Sequence, residues 1–182
     1  MNAFIDMIRS RASIRAFTDE PLTEEMIQVL IDAALGAPNG GNAQPWHFVF
    51  CTDKEKLQHL EDTQVAAIKA SGNERMIALQ EARNWKILFN APLVVWICTK
   101  NGANGVDAGI AGESMTLAAQ SMGLGSCFIG GASAVFRGED AAEWKKYFSI
   151  PEGYEVHCGL SVGHPNMTNT PHPLDYSKVT RI

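Results

Sequence analysis

The stretch Asp107 to Gly131, DAGIAGESMTLAAQSMGLGSCFIGG, decides the fold class. Up to about Met122 it is dominated by small residues (Ala108, Ala111, Gly112, Ala118, Ala119), which reads as a helix that lets other backbone come close. Such a helix belongs in the interior or at a subunit seam. Ser126 to Ile129 then reads as a short strand. The Gly123-Leu124-Gly125 triplet between them has the wrong order for a dinucleotide fingerprint. That motif needs a strand before the glycines, a helix after, and a third glycine where Phe128 stands. A Rossmann site is therefore rejected, and Gly130-Gly131 is left as bare backbone just past a strand.

Working outward, Pro92 to Cys98 (PLVVWIC) is a near-continuous apolar run, as expected of a strand buried on both faces. Trp46 to Cys51 is aromatic and β-branched and reads as another strand; Val156 to Val162 reads as the last. Helices are predicted from Asn2 to Ser10, from Thr23 as N-cap through Ile27, Leu30, Ile31 and Ala34, after Asp53, from Glu74 to Phe89, and from Ala141 to Phe148. Strands and helices mix without regular βαβ alternation, which favours an α+β fold over a doubly wound sheet. The tail from His164 has no periodicity and is expected to run extended over a surface.

The bulk properties narrow the function classes. With 182 residues, 46% apolar and 19% charged, the chain is expected to form one globular domain over 1–182. A net charge of −5 without any block of like charge argues against nucleic acid or an anionic membrane as partner. The first residues lack the pattern of a secretory signal and the longest apolar run is too short for a bilayer, so a cytoplasmic location is expected. Cys51, Cys98, Cys127 and Cys158 form no CxxC pair, and three of them sit in apolar strand-like runs as reduced thiols. The histidines at 47, 59, 157, 164 and 172 show no metal-ligand spacing, so no metal is expected.

Two further segments can carry chemistry. Arg11-Ala12-Ser13-Ile14-Arg15-Ala16-Phe17 places two guanidinium forks and a hydroxyl within five residues, a set suited to phosphate. A solvated loop with surface arginines fits the same residues. Pro38-Asn39-Gly40-Gly41-Asn42-Ala43-Gln44-Pro45-Trp46 combines glycines that permit close approach with amides that donate and accept. That run suits the polar edge of a heterocycle or a ribityl chain, and equally a turn from helix to strand.

In their order along the chain, Arg11 to Phe17, Pro38 to Trp46, and Asp107 to Ser126 resemble the nitroreductase family of flavoproteins. The family carries R-R-S-x-R-x-F, then P-S-x-x-N-x-Q-P-W, then an Ala-rich helix running into G-L-G-S. Ile150 to Tyr154 and Gly163-His164-Pro165 are similar to its closing pattern. The resemblance implies a central, mostly antiparallel sheet wrapped by helices, in an interlocked homodimer with FMN at the subunit interface.

By that resemblance Arg11 and Ser13 hold the phosphate and ribityl, with Ala12 replacing a frequent second arginine, and Arg15 approaches the N1/O2 edge. Pro38, Asn39, Gly40, Asn42 and Gln44 complete the partner's site, and Gly130 and Gly131 face flavin N5. A C-terminal cation on the phosphate is expected from His172, Lys178 or Arg181, and the pyrimidine edge from somewhere in segment 55–90. The implied reaction moves hydride from NAD(P)H through FMN to a nitro compound, quinone or similar acceptor. The alternatives are another flavin reaction on the same fold (flavin destruction, dehalogenation, dehydrogenation) or a flavin-binding module without turnover.

Overall fold

The computed structural model describes residues 2–100, 103 and 105–182. Its helices are α1 (Ala3–Ser10), α2 (Glu24–Leu35), α3 (Lys54–Ala70), α4 (Glu74–Glu81), α5 (Gly105–Ser121) and α6 (Ala141–Tyr147). Its strands are β1 (Trp46–Cys51), β2 (Leu93–Lys100), β3 (Gly125–Ile129) and β4 (Tyr154–Gly163). The four strands form one sheet in the order β1-β2-β4-β3, and every neighbouring pair is antiparallel. The expected α+β architecture is what the chain adopts.

Local chemistry fixes the helix starts. The side chains of Asn2, Thr23, Asp53 and Asn73 each accept a backbone N–H in the first turn of α1, α2, α3 and α4. Each satisfies a donor that the helix itself leaves without a partner.

β2 is the centre of the core, buried at every position but Lys100. Its alternation serves two layers. Leu93, Val95 and Ile97 pack with Leu30 and Ala34 of α2 and with Ala108, Met115 and Ala119 of α5. Val94, Trp96 and Cys98 face the other way, toward Leu57 and Leu60 of α3 and toward Phe136 and Phe148. There the Trp96 ring meets Phe136 and Phe148 edge-on at 5.0 and 5.4 Å between centroids. The small residues of α5 are needed on the first side: a Cβ on Gly112 would lie 2.7 Å from the Phe128 ring.

One expected helix is shorter than its sequence pattern. The span 74–89 is helical only to Glu81 and then becomes a chain of turns, with positive φ at Asn84, Trp85, Phe89 and Asn90. The reason is burial. Ile87, Leu88 and Phe89 are all inside, and three consecutive inward side chains cannot lie on one face of a helix. The turns are held from α3: Glu61, itself buried, accepts from the Leu88 amide at 2.9 Å and pairs with Lys86 at 3.5 Å.

β4 is also longer than the strand read from Val156 to Val162, because Tyr154 and Glu155 continue the ladder against β2. All four cysteines sit in strands as free thiols. Among the described residues no helix is long and apolar enough to cross a membrane.

Candidate functional site

The segment after α1 is stitched into the subunit on both sides. Ser13 forms a parallel bridge with Ser126 at the start of β3, and the Ile14 amide donates to the Ser126 carbonyl at 2.9 Å. On the other side the tail crosses it. Thr18 N–H donates to the His164 carbonyl, Asn166 N–H to the Ala16 carbonyl, and Asn169 Nδ2 to the Ser13 carbonyl at 2.8 Å. Gly125 makes this close passage possible, since a Cβ there would fall 2.8 Å from the Ile14 side chain. Gly123, at φ +76°, turns the chain out of α5 just before it. The Gly123-Leu124-Gly125-Ser126 run thus seats the arginine loop.

An extended segment alternates its side chains. Ala12 and Ile14 face a cavity of about 240 Å³ with Gln120, Pro165 and Met167. Ser13 and Arg15 meet instead at the Cys127 thiol of β3. Burial pushes that thiol up from its ordinary value, partly offset by the Arg15 and Arg83 guanidiniums and by hydrogen bonds from Ser13 and Arg15. Arg83 is the residue that sequence reasoning missed. It comes from the turns after α4, where the expected helix would have hidden its direction. Its guanidinium lies 5.7 Å from the Phe89 ring centre. Arg11, at the C-terminal end of α1, reaches the Glu113 carboxylate on α5 at 4.0 Å.

Cys127 is three residues from Gly130, about 10 Å at strand rise. At Gly130 the chain enters a tight 3-10 turn, Gly130–Phe136. A Cβ on Gly130 or Gly131 would meet nothing within 4 Å, and neither has a positive φ. Glycine at these two exposed positions answers no packing or backbone need of the subunit. The turn is fixed from behind instead, by the buried Ser133 hydroxyl donating to the Gly130 carbonyl (2.7 Å) and by Gln64 Nε2 donating to the Ala132 carbonyl (2.8 Å).

The second polar loop stands apart. Asn39 Oδ1 accepts the Gln44 amide at 2.8 Å, and Gln44 Nε2 donates to Asn42 Oδ1 at 3.1 Å. Gly41, Asn42 and Gln44 all have positive φ, and the Gly40 amide donates to Asp107 in the first turn of α5 at 3.3 Å. Asn39, Gly40, Asn42 and Gln44, which follow Pro38, are therefore held by hydrogen bonds among themselves and to α5. The C-terminal candidates are exposed. His172 lies three residues beyond Asn169, Lys178 is within 3.9 Å of Asp175, and Arg181 is at the end of the tail. Of the tail residues that touch the arginine loop, Met167 and Asn169 do so through their side chains, the Met167 sulfur accepting from the Arg15 amide at 3.2 Å, and an aperiodic tail gives no sequence signal for either.

Residues 8–164 match the pattern of the Nitroreductase family. An NADPH-flavin oxidoreductase of Vibrio harveyi is 32% identical over 91% of this chain and 67% of its own length. An FMN reductase [NAD(P)H] of Bacillus subtilis is 29% identical over the same shares. Among solved structures, a nitroreductase with bound FMN from Desulfitobacterium hafniense superposes with a TM-score of 0.94 at 30% identity, covering 100% of this chain and 99% of that one.

Proposed function

The chain belongs to the nitroreductase family, and on that premise we propose that it is an FMN-dependent oxidoreductase. It takes hydride from NAD(P)H and delivers it to nitroaromatic, quinone or similar electron-poor acceptors. The observation that carries this reading is the seating of the arginine loop on β3, where the Ser13–Ser126 bridge and the Ile14–Ser126 hydrogen bond hold Ser13 and Arg15 beside the strand, four residues before the open Gly130-Gly131. Cations gather at one end of a strip of β3 and bare backbone at the other, on the scale of a three-ring heterocycle. When bound, FMN supplies the two-electron acceptor, with its hydride-carrying atom at N5.

The chain's own residues have distinct tasks. Arg11 and Ser13 hold the phosphate and ribityl. Arg15 and Arg83 face the pyrimidine edge, where reduction leaves negative charge that a fixed cation stabilises. Gly130 and Gly131 offer backbone N–H groups at the other edge. Pro38 to Asn42, with Gln44, reach the partner's site in a homodimer.

The surface supports the homodimer. α1 buries none of its residues in the subunit, leaving Phe4, Ile5 and Ile8 at 55%, 39% and 40% exposure. A cluster of this kind at a helix that packs on α5 is suited to a second copy.

Among the described residues no dinucleotide fold accompanies the site, so donor and acceptor are expected to use one ring face in turn, in ping-pong kinetics. Acid release of the pigment should give FMN at about one per chain. Double-reciprocal plots against NAD(P)H at several fixed quinone concentrations should be parallel. Absent flavin, or FAD in its place, overturns the cofactor; converging lines overturn the shared face.

A further inference from the structure

We propose that the cavity between α3, α4 and the Gly130–Phe136 turn receives the electron acceptor, and that Gln64 and Gln80 select aromatic acceptors bearing a hydrogen-bond donor on the ring. The proposal rests on the FMN reading above and adds to it the substrate class.

The cavity has a volume of about 350 Å³, within the range of small-molecule sites. Ile68, Met76, Ile87 and Val135 give it apolar walls, and Gly131 closes one side. That wall is shared with the bare Gly130-Gly131 backbone assigned to the flavin edge, so a ring seated here lies beside the reacting end of the cofactor.

Two polar groups interrupt the apolar lining. Gln64 and Gln80 are 6% and 5% exposed, and the amide oxygen of each has no hydrogen-bond partner. The orientation of Gln64 is not free. Its Nε2 donates to the Ala132 carbonyl at 2.8 Å and faces the Gly131 carbonyl at 3.4 Å, so a flip would set oxygen against oxygen. Its Oε1 is therefore left as an acceptor. A buried acceptor without a donor is a standing penalty, and a subunit that carries two beside one apolar cavity is complementary to a ligand that brings N–H or O–H. A plain quinone or nitro group has only acceptors and gives these oxygens nothing. Shape and stacking admit flat rings in general; the glutamines discriminate among them.

In the reaction, NAD(P)H gives up a hydride and becomes NAD(P)⁺. The quinone takes up that hydride and one solvent proton and leaves as the hydroquinone. The ring donor takes no part in the electron balance and serves binding alone.

The test compares menadione with its amino analogue, in which the ring methyl is replaced by NH₂. Both are titrated into the oxidised, FMN-loaded protein, where no turnover occurs, by calorimetry and by the flavin absorption spectrum. The amino compound should bind about fivefold to tenfold more tightly, the range of one or two neutral hydrogen bonds. Gln80→Leu should lower the ratio, and Gln64→Leu with Gln80→Leu should bring it near one while menadione binds as well or better; the methionine variants serve if the leucine variants do not fold. Ala134→Trp should weaken both compounds. Equal binding to the parent, a ratio that survives in the double glutamine variant, or indifference to Ala134→Trp overturns the proposal. Selective binding that leaves the flavin spectrum unperturbed overturns the acceptor assignment. A protein purified without flavin overturns the FMN reading instead, and calorimetry still measures donor selectivity in that case.

Discussion

The two polar loops of this chain are built on opposite plans. The arginine loop, 11–18, is anchored by other parts of the subunit: Ser126 of β3 on one side, His164 and Asn169 of the tail on the other. The 38–44 loop is anchored mostly by itself, its amides bonded to one another across three left-handed residues. A loop held by neighbouring elements has its place set by the fold of one chain. A loop that satisfies its own polar groups while exposed is a preformed tip, rigid before anything meets it. The first plan suits residues that grip a cofactor within the subunit, the second suits residues delivered to another copy.

The contrast breaks first at the subunit seam. Replacing Ile5 with Asp puts a charge on the apolar face of α1, before the arginine loop in sequence and part of neither loop. If the 38–44 tip completes the partner's site, the variant should sediment as a monomer and lose nearly all its flavin while keeping its circular dichroism spectrum. A monomer that still holds FMN stoichiometrically would place the whole site in one chain. Next in size is Arg11→Ala, where loss of a charge-assisted contact of about 1.5–3 kcal/mol should weaken FMN roughly ten- to a hundredfold with the dimer intact. Arg15→Ala should instead lower the flavin's reduction potential and spare most of the binding. Equal effects from the two variants would erase the distinction between a phosphate end and a ring end.

How much of this was legible in the sequence follows from what each signal depends on. Strand β2 was readable because an unbroken apolar run has few other uses, and the starts of α2 and α3 because the Thr23 and Asp53 caps act within four residues. The arginine loop and the Gly-rich tip were legible as motifs. Arg83 was not, because its direction depends on α4 stopping at Glu81, and the stop is imposed by the burial of Ile87, Leu88 and Phe89 from outside the segment. Asn169 was hidden for a similar reason: its bond to Ser13 spans 156 residues and leaves no local trace. The pairing of Arg11 with Glu113 is equally non-local.

Glycines separate the two causes of a small residue within the site itself. At Gly125 a methyl group would lie 2.8 Å from Ile14, so Gly125→Ala must move the arginine loop or the strand. Overpacking of this kind typically costs about 1–3 kcal/mol. In a chain of this length that lowers Tm by roughly 2–4 °C per kcal/mol, and FMN affinity should fall with it. Gly130→Ala meets open space and should leave the Tm of the flavin-free protein unchanged while weakening FMN. Equal loss of Tm in the two would mean that Gly130 serves the fold and that no ligand approaches it.

The smallest expected effect tests whether the arginine loop is ready for its ligand. Arg11 sits 4.0 Å from Glu113, with side chains 23% and 51% exposed. At that separation and exposure the pair is worth at most about 1 kcal/mol. It nonetheless offers the guanidinium an anion that a phosphate must displace. Glu113→Gln removes the charge and keeps an oxygen for the Thr116 hydroxyl, which now bonds the carboxylate at 2.9 Å, so stability should not change. FMN should then bind up to about fivefold more tightly. The gain should be largest at low ionic strength and fade toward about 1 M salt, where the Debye length is near 3 Å. A gain that ignores salt would have to come from packing rather than charge. A loss of affinity would reverse the role of Glu113: the carboxylate would be aiming Arg11 at the phosphate, and the pair seen in the subunit would be part of the grip.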